Sequence, residues 1–322
     1  MAEYIQKAPI FIVVILLVLG FVCLIKGADY FVEGSSSIAK RFNVPSIIIG
    51  LTIVAMGTSL PETAVSVVAA VSKNNELAIS NVVGSNIFNL MVVIGVCCVL
   101  MPILVDDMTI KWDIPFSLIC AGLLFIFGSL GSKTIGRYEG ALLLALFVYF
   151  LYKLLKRAKE NRESVSENEE EIKLISPILS IVFILAGAAA IALGGQLSVK
   201  AASRIAIEFG MSQTLVGLTI VSIGTSLPEL CTSFIAAKKG EIDMALGNAI
   251  GSNIFNILLV LGISSVITPI TFLTENAIDF AILIAFTIII WIIVYKKKKL
   301  TRINGILMLV LYAAYTAYII IR

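Results

Sequence analysis

The chain has 322 residues, of which 59% are hydrophobic and 14% are charged, and its formal net charge is +3. Soluble domains contain about 25% charged residues, so this composition excludes a soluble globular domain. It predicts an integral membrane protein, and we expect no nucleic-acid partner. The sequence has no histidine, which removes the commonest general base and transition-metal ligand, so we expect neither an enzyme nor a bound cofactor.

Ten apolar runs follow one another along the chain, each long enough for a membrane-spanning helix of about 20 residues. None alternates with the period of two that is typical of a strand, and helices satisfy their own backbone groups in lipid. The runs predict ten transmembrane helices near residues 8–26, 46–72, 77–104, 114–130, 138–155, 175–198, 213–237, 244–268, 276–295 and 303–321.

Most of the 24 Lys and Arg residues lie in alternate connections between these runs. Because such residues are retained on the cytoplasmic side, both termini are predicted to lie outside the cell membrane. The polar segment 156–174 is interpreted as a cytoplasmic linker between residues 1–155 and 175–322. A calcium-sensing role for Glu167 and residues 169–171 is the weaker interpretation, because acidic runs are usually solvated surface.

The sequence repeats itself at an offset of 167 residues. GLTIVAMGTSLPE at 50–62 returns as GLTIVSIGTSLPE at 217–229, and NVVGSNIFNLMVVIGV at 81–96 returns as NAIGSNIFNILLVLGI at 248–263. If each half has five spans, an odd number, the second copy crosses the membrane in the opposite sense to the first. The predicted fold is therefore an all-α integral membrane protein of ten helices in two inverted five-helix repeats, whose matching motifs converge near the midplane.

Each copy carries one glutamate, Glu62 or Glu229, inside a run that contains no basic residue. An ionised carboxylate at the bilayer centre costs about 2.5–3.5 kcal/mol on insertion scales, so these groups need hydration, a partner or an ion. Two ionised carboxylates carry the charge that one Ca2+ neutralises. A protonated carboxyl with only a structural role is the alternative.

A proline precedes each glutamate, at Pro61 and Pro228. Because proline lacks the backbone N–H and obstructs the carbonyl four residues earlier, we expect the helices to open near Gly57 and Gly224 and to release carbonyl oxygens. Hydroxyl groups lie beside these breaks. Together they form a set of hard oxygen ligands, the kind that Ca2+ and Na+ prefer, from Thr58, Ser59, Thr225 and Ser226.

The GSNIFN motifs supply a matching polar face. Ser85 and Asn89 are four residues apart on one helix, and Ser252 and Asn256 are four apart on another, so each pair shares a helix face. All four side chains carry oxygen. The alternative is that they only join helices through hydrogen bonds.

The two GTSLPE and GSNIFN segments resemble the alpha repeats of the cation/Ca2+ exchanger superfamily, in its prokaryotic sodium/calcium exchanger branch. Proton-coupled relatives typically carry GNxxE around the glutamate, which this sequence lacks. The resemblance implies ion sites enclosed by spans 2, 3, 7 and 8, with spans 1 and 6 sliding to alternate access. It implies central Ca2+ ligands at Glu62 and Glu229, and further ligands at Thr58, Thr225, Ser85, Ser252, Asn89, Asn256 and the backbone oxygens of Ala55 and Ser222.

One position departs from that pattern. Similar sodium/calcium exchangers often have Asp where this chain has Asn256, so the site holds only two acidic side chains. If the Asp is protonated during transport, Asn256 is a near-isostere; if it is ionised, the coupling ratio changes. The sequence does not decide between these two protonation states.

The expected function is a secondary antiporter that exchanges Ca2+ for Na+ by alternating access, as a monomer in the lipid bilayer. Exchange of Ca2+ for H+ or for another cation at the same glutamates is the alternative. A passive cation channel would conduct without a counter-ion. An intramembrane hydrolase is the weakest alternative, because the absence of histidine and of a GxSxG motif excludes a Ser–His arrangement.

Overall fold

A computed structural model of the chain describes residues 5, 8–72, 75–130, 133–160, 174–211, 216, 220 and 222–321. These residues are helical apart from connections and four two-residue strands. The first helices are α1 (Ile10–Arg41), α2 (Ser46–Thr58), α3 (Leu60–Val71), α4 (Asn75–Phe88, Asn89–Val93 and Ile94–Leu100), α5 (Thr109–Asp113 and Ile114–Leu130) and α6 (Arg137–Glu160). The later helices are α7 (Pro177–Glu208), α8 (Ser222–Thr225), α9 (Leu227–Lys238), α10 (Ile242–Ile267), α11 (Thr274–Lys297) and α12 (Arg302–Ile321).

Eight of the described helices are long and apolar enough to cross a membrane, and the bent pair α2 and α3 makes a ninth candidate. An all-helical membrane protein is therefore confirmed. The predicted span at 213–237 lies partly outside the described residues, so the count of ten remains a prediction.

Helices α1 and α7 are much longer than the predicted spans, which ended at residues 26 and 198. Each has 32 residues and continues to Arg41 or Glu208. In α1 the polar continuation is buried, because Ser35, Ser36 and Ser37 are at most 4% exposed. A helix needs apolar residues only where it faces lipid. Beyond the apolar run, contacts with other parts of the protein stabilise the helix.

Helices α1 and α7 pack against each other in antiparallel directions along glycine residues. A Cβ atom on Gly27 would lie 2.9 Å from the Cβ atom of Ala190, and one on Gly187 would lie 2.7 Å from the carbonyl oxygen of Gly27. One on Gly34 would lie 2.7 Å from the carbonyl oxygen of Ser180. Small residues therefore let the two backbones touch along most of their length, as in other membrane helix pairs.

Helices α4 and α10 form the centre of the molecule, and most of their residues are buried. Helix α10 contacts α2 and α9, while α4 contacts α3. Helix α6 packs on the last part of α10, and α12 packs on the last part of α4. The two glutamate-bearing helices, α3 and α9, thus lie directly against the two central helices.

Two short antiparallel ribbons join distant parts of the chain. Strand β1 (Ile103–Leu104) pairs with β4 (Lys299–Leu300), and β2 (Thr134–Ile135) pairs with β3 (Ile270–Thr271). Beside the first ribbon, a hydrogen bond from Lys298 lowers the pKa of the exposed Asp107 carboxyl. No pattern in the sequence predicted strands this short, which connect the first half of the chain to the second.

The helix break at the GTSLPE motif does not lie where it was predicted. Helix α2 ends at Thr58 and α3 begins at Leu60, with a bend of 49° at Ser59. The prediction placed this opening near Gly57. The position differs because proline is well tolerated in the first turn of a helix, so a new helix starts just before Pro61.

The second copy behaves in the same way. Helix α8 ends at Thr225 and α9 begins at Leu227, so the break lies at Ser226, two residues after Gly224. In both copies the glutamate therefore lies in the first turn of a new helix. The positive end of a helix dipole favours an anion at that position.

Candidate cation-binding site

The two glutamates lie in the protein interior, since Glu62 and Glu229 are both 0% exposed. Each accepts a hydrogen bond from the serine at the helix break of the other sequence copy. Ser59 Oγ donates to Glu229 Oε1 at 2.8 Å, and Ser226 Oγ donates to Glu62 Oε1 at 3.3 Å. These crossed bonds bring both carboxylates into one site.

The remaining oxygen of each carboxylate is buried and has no hydrogen-bond partner among the described residues. The same holds for four other oxygens that the sequence assigned to this site. Buried polar atoms are nearly always paired, so these unpaired oxygens are candidate ligands for a cation. The six atoms are Glu62 Oε2, Glu229 Oε2, Ser85 Oγ, Ser252 Oγ, Asn89 Oδ1 and Asn256 Oδ1.

No basic side chain pairs with either glutamate in the part of the chain that the structure describes. None of the ion pairs within the described ranges includes Glu62 or Glu229. The described part of the chain also contains no group of three or more His, Cys, Asp or Glu side chains placed so that they could hold a metal ion together. Two carboxylates with hydroxyl and amide oxygens form a hard donor set, which suits Ca2+ or Na+ better than a transition metal.

The two predicted threonine ligands make equivalent contacts across the molecule. Thr58 Oγ1 lies 3.1 Å from Asn248 Oδ1, and Thr225 Oγ1 lies 3.3 Å from Asn81 Oδ1. Thr58 Oγ1 also lies 3.1 Å from the Val54 carbonyl oxygen, to which it can donate. Each threonine is thus fixed by the asparagine of the opposite copy.

Asn81 and Asn248 support the site but were absent from the predicted ligand set. Their amide nitrogens donate to serine hydroxyls, at 3.2 Å from Asn81 to Ser66 and at 2.8 Å from Asn248 to Ser233. A signal was available, because Asn81 and Asn248 occupy the same place in the two copies of the repeat.

A second asparagine pair joins the central helices α4 and α10. Asn86 Nδ2 donates to the Asn253 carbonyl oxygen at 3.1 Å, and Asn253 Nδ2 donates to the Asn86 carbonyl oxygen at 3.1 Å. Asn256 Nδ2 donates to Asn86 Oδ1 at 3.1 Å, which leaves Asn256 Oδ1 unpaired. Asn89 and Asn256 each begin a π-helical turn, a feature frequent at functional sites.

The two predicted backbone ligands are described to different degrees. Ala55 is buried, and its carbonyl oxygen lies 3.3 Å from Thr58 Oγ1, so it belongs to the edge of the site. Ser222 begins α8, but its side chain is outside what the structure describes. Among the predicted ligands, hydrogen-bond contacts across the two copies are described for Glu62, Glu229, Thr58, Thr225 and Asn256.

An open cavity of about 470 Å³ adjoins the site. Its wall includes Pro61 and Pro228, the neighbours of the two glutamates, together with the site residue Thr225. The far part of the wall comes from the carboxyl-terminal half of α7, at Lys200 and Arg204. This cavity is called the passage below, because it leads from the surroundings of the glutamates toward that end of α7.

Comparison with known proteins agrees with this arrangement. The family described as sodium/calcium exchanger protein matches residues 12–156 and 179–321. The chain is 42% identical over 309 residues to the putative antiporter CaxA of Alkalimonas amylolytica, covering 94% of this chain and 96% of that one. It is 34% identical over 338 residues to the sodium/calcium exchanger MaX1 of Methanosarcina acetivorans, with the same two coverages.

A solved structure of the sodium-calcium exchanger NCX_Mj, soaked with Na+ and Ca2+, superposes with a TM-score of 0.82 at 33% identity. The match covers 95% of this chain and 98% of that one. Such a likeness extends over the whole helical fold and not only over the repeated motifs. The chain belongs to the sodium/calcium exchanger family, within the prokaryotic branch of the cation/Ca2+ exchanger superfamily, and is a multi-pass membrane transporter.

Proposed function

We propose that the chain is a secondary antiporter that exchanges Ca2+ for Na+ by alternating access at the two-glutamate site. The observation that carries this proposal is that Glu62 and Glu229 are buried, accept crossed hydrogen bonds from Ser226 and Ser59, and each keep one oxygen unpaired among the described residues. A dehydrated site with two negative charges can be neutralised by one Ca2+ or by monovalent ions in turn. Competition of the two cations for shared oxygens then couples their movements.

The proposed ligands are the ten residues that the sequence indicated. Ca2+ binds between Glu62 and Glu229, and Na+ occupies positions that share these carboxylates. The neutral oxygens complete the coordination shell, which is made by Thr58, Thr225, Ser85, Ser252, Asn89, Asn256, Ala55 and Ser222. Support comes from the burial of the described side chains and from the crossed hydrogen bonds at the two helix breaks.

We also propose ten spans in two inverted repeats, at 1–155 and 175–322, joined by a cytoplasmic linker at 156–174. Both termini then lie outside, and the passage opens to the outside. The distribution of Lys and Arg along the chain supports this orientation. The protein is proposed to work as a monomer, since each site draws on both copies of a single chain.

The test is Ca2+ uptake into liposomes that contain the purified protein. An imposed Na+ gradient should drive uptake, whereas a pH gradient alone should not. Glu62→Gln and Glu229→Gln should each reduce uptake by about 100-fold or more, because each removes one of the two charges that bind the divalent ion in a dehydrated site. The exposed Glu275→Gln is the matched control and should transport normally.

Three results would contradict this assignment. Uptake driven by a pH gradient and indifferent to Na+ would favour the exchange of Ca2+ for H+. Uptake that needs no counter-ion would indicate a channel. Full activity in both glutamine variants would place the transport site elsewhere in the molecule.

A further inference from the structure

The passage contains a positive charge although it adjoins a proposed cation site. Lys200 and Arg204, one turn apart on α7, both line it. Arg204 forms an ion pair with Glu208 on the same helix, so its charge is compensated. No ion pair of Lys200 occurs among the residues that the structure describes.

The equivalent positions in the first copy carry the opposite charge. At the repeat offset, Lys200 corresponds to Glu33, and Gln196, which also lines the passage, corresponds to Asp29. Asp29 Oδ1 and Glu33 Oε2 lie 2.7 Å and 3.8 Å from Lys239 Nζ. Carboxylates on α1 are therefore replaced by an amide and an ammonium on α7, although the two copies otherwise supply matching site residues.

A fixed charge beside a narrow aqueous passage acts on ions according to their valence. The Coulomb energy of a divalent ion is twice that of a monovalent ion at the same place, so the effect on its affinity is the square of the effect on the monovalent ion. Low-dielectric walls strengthen such a field in a cleft. The Lys200 ammonium consequently disfavours Ca2+ more than it disfavours Na+.

We propose that Lys200 is a specificity-determining residue, which lowers the affinity of the site for Ca2+ relative to Na+ when the site is open to the passage. This inference rests on the proposed function. A lower Ca2+ affinity on this face speeds the release of Ca2+ and hinders its return. The acidic residues at the equivalent positions of α1 carry no such penalty for Ca2+.

The experiment measures equilibrium binding of radioactive Ca2+ to the full-length protein in lipid nanodiscs, and its displacement by Na+. Lys200→Gln should lower the Kd for Ca2+ about fourfold and the Kd for Na+ about twofold. These are the changes expected when a unit positive charge is removed from a point roughly 10 Å from the bound ion in water. Lys200→Glu should extend both shifts in the same direction. Lys200→Arg keeps the charge and should bind as the unchanged protein does.

Salt provides an independent readout. The shifts should be largest at about 10 mM N-methyl-D-glucamine chloride and should nearly disappear at about 300 mM, where the Debye length is only about 6 Å. A loss of packing around Lys200 would not respond to salt in this way. Lys297→Gln, which removes an exposed lysine that does not line the passage, is the control and should change neither Kd.

The outcomes separate this inference from the proposed function. If Glu229→Gln abolishes Ca2+ binding but Lys200→Gln leaves both Kd values unchanged, the proposed role of Lys200 is overturned. The proposed Ca2+ site at the two glutamates is then retained. Equal shifts for the two ions, or a shift in Lys200→Arg, would also overturn it. If the unchanged protein fails to bind Ca2+, both proposals fail together.

Discussion

Each glutamate of the candidate site is held by a serine side chain of the opposite copy, because Ser59 donates to Glu229 and Ser226 donates to Glu62. Six of the predicted ligand residues have a buried oxygen without a partner among the described residues, and each belongs to a motif that occurs twice in an apolar run. Asn81 and Asn248 were missed for a physical reason. Their contacts are with threonines of the opposite copy, and spacing along one helix does not reveal which residues face it from another.

Asn256 is the residue at which a single change should alter ion preference most. Its Oδ1 atom is unpaired, so Asn256→Asp introduces a third carboxyl into the site. When that carboxyl is ionised, Ca2+ affinity should rise about tenfold and Na+ affinity less, because the attraction scales with the charge of the ion. Binding of both ions, measured between about pH 5 and pH 9, should show this gain vanish where the carboxyl is protonated.

Asn89→Asp is the matched variant, since Asn89 occupies the same place in the other copy. Asn89 Nδ2 has no partner among the described residues, whereas Asn256 Nδ2 donates to Asn86. Asn256→Asp therefore also removes a hydrogen bond, whereas Asn89→Asp removes a donor that makes none. A Ca2+ affinity that is independent of pH in both variants would show that these oxygens do not reach the ion.

Among the elements, helices were easier to predict than their ends. The apolar runs located the described spans, yet α1 and α7 extend well beyond their runs because their polar and small residues face each other and not lipid. The breaks at Ser59 and Ser226 were expected two residues earlier. Proline disrupts the preceding turn, but where the chain restarts depends on the new helix that follows it.

The close contact between α1 and α7 can be tested by adding one methyl group. Gly27→Ala places its Cβ atom 2.9 Å from the backbone nitrogen of Ile191, which cannot move as a side chain would. We expect a loss of about 1–3 kcal/mol in stability from overpacking, and reduced transport if the two helices slide. Thermal unfolding followed by size-exclusion chromatography, together with Ca2+ uptake, measures the two effects.

Gly122→Ala is the control, because a Cβ atom there would have no neighbour within 4 Å. Replacing glycine by alanine in a helix is otherwise favourable by about 1 kcal/mol, so this variant should be at least as stable as the unchanged protein. Equal stability of the Gly27→Ala and Gly122→Ala variants would mean that α1 and α7 can move apart at no cost in stability to accommodate the added methyl group.

Across the whole molecule, the sequence predicted an all-helical membrane protein but could not predict how its two copies interlock. The crossed serine–glutamate bonds, the reciprocal asparagine bonds and the two ribbons all join residues more than 130 positions apart. Such contacts follow from tertiary packing. The two sides of the site also differ. The passage is open on one side, whereas on the other side Lys239, at the end of α9, forms ion pairs with Asp29 and Glu33 of α1.

This difference predicts the effect of Lys239→Gln on the state of the whole protein. The ion pairs of Lys239 with Asp29 and Glu33 are partly exposed, so their contribution is at most about 1 kcal/mol, or a fivefold change in population. Their loss should favour the state in which the passage is closed. A thiol introduced by Ala64→Cys in the passage wall should then react more slowly with a water-soluble maleimide.

Reaction of the five native cysteines is subtracted with the protein that lacks Ala64→Cys. Lys297→Gln, which removes an exposed charge from α11, is the control and should leave the labelling rate unchanged. An unchanged or faster rate in Lys239→Gln would show that these ion pairs do not hold the passage open.

The crossed bonds at the two helix breaks have a consequence for the origin of the protein. Because Ser59 holds Glu229 and Ser226 holds Glu62, a polypeptide with one copy of the motif would have a carboxylate without its hydroxyl donor. Two such polypeptides, inserted in opposite orientations, would complete each other. With the inverted repeats that we propose, the site corresponds to that of a homodimer whose two subunits were later joined into one chain.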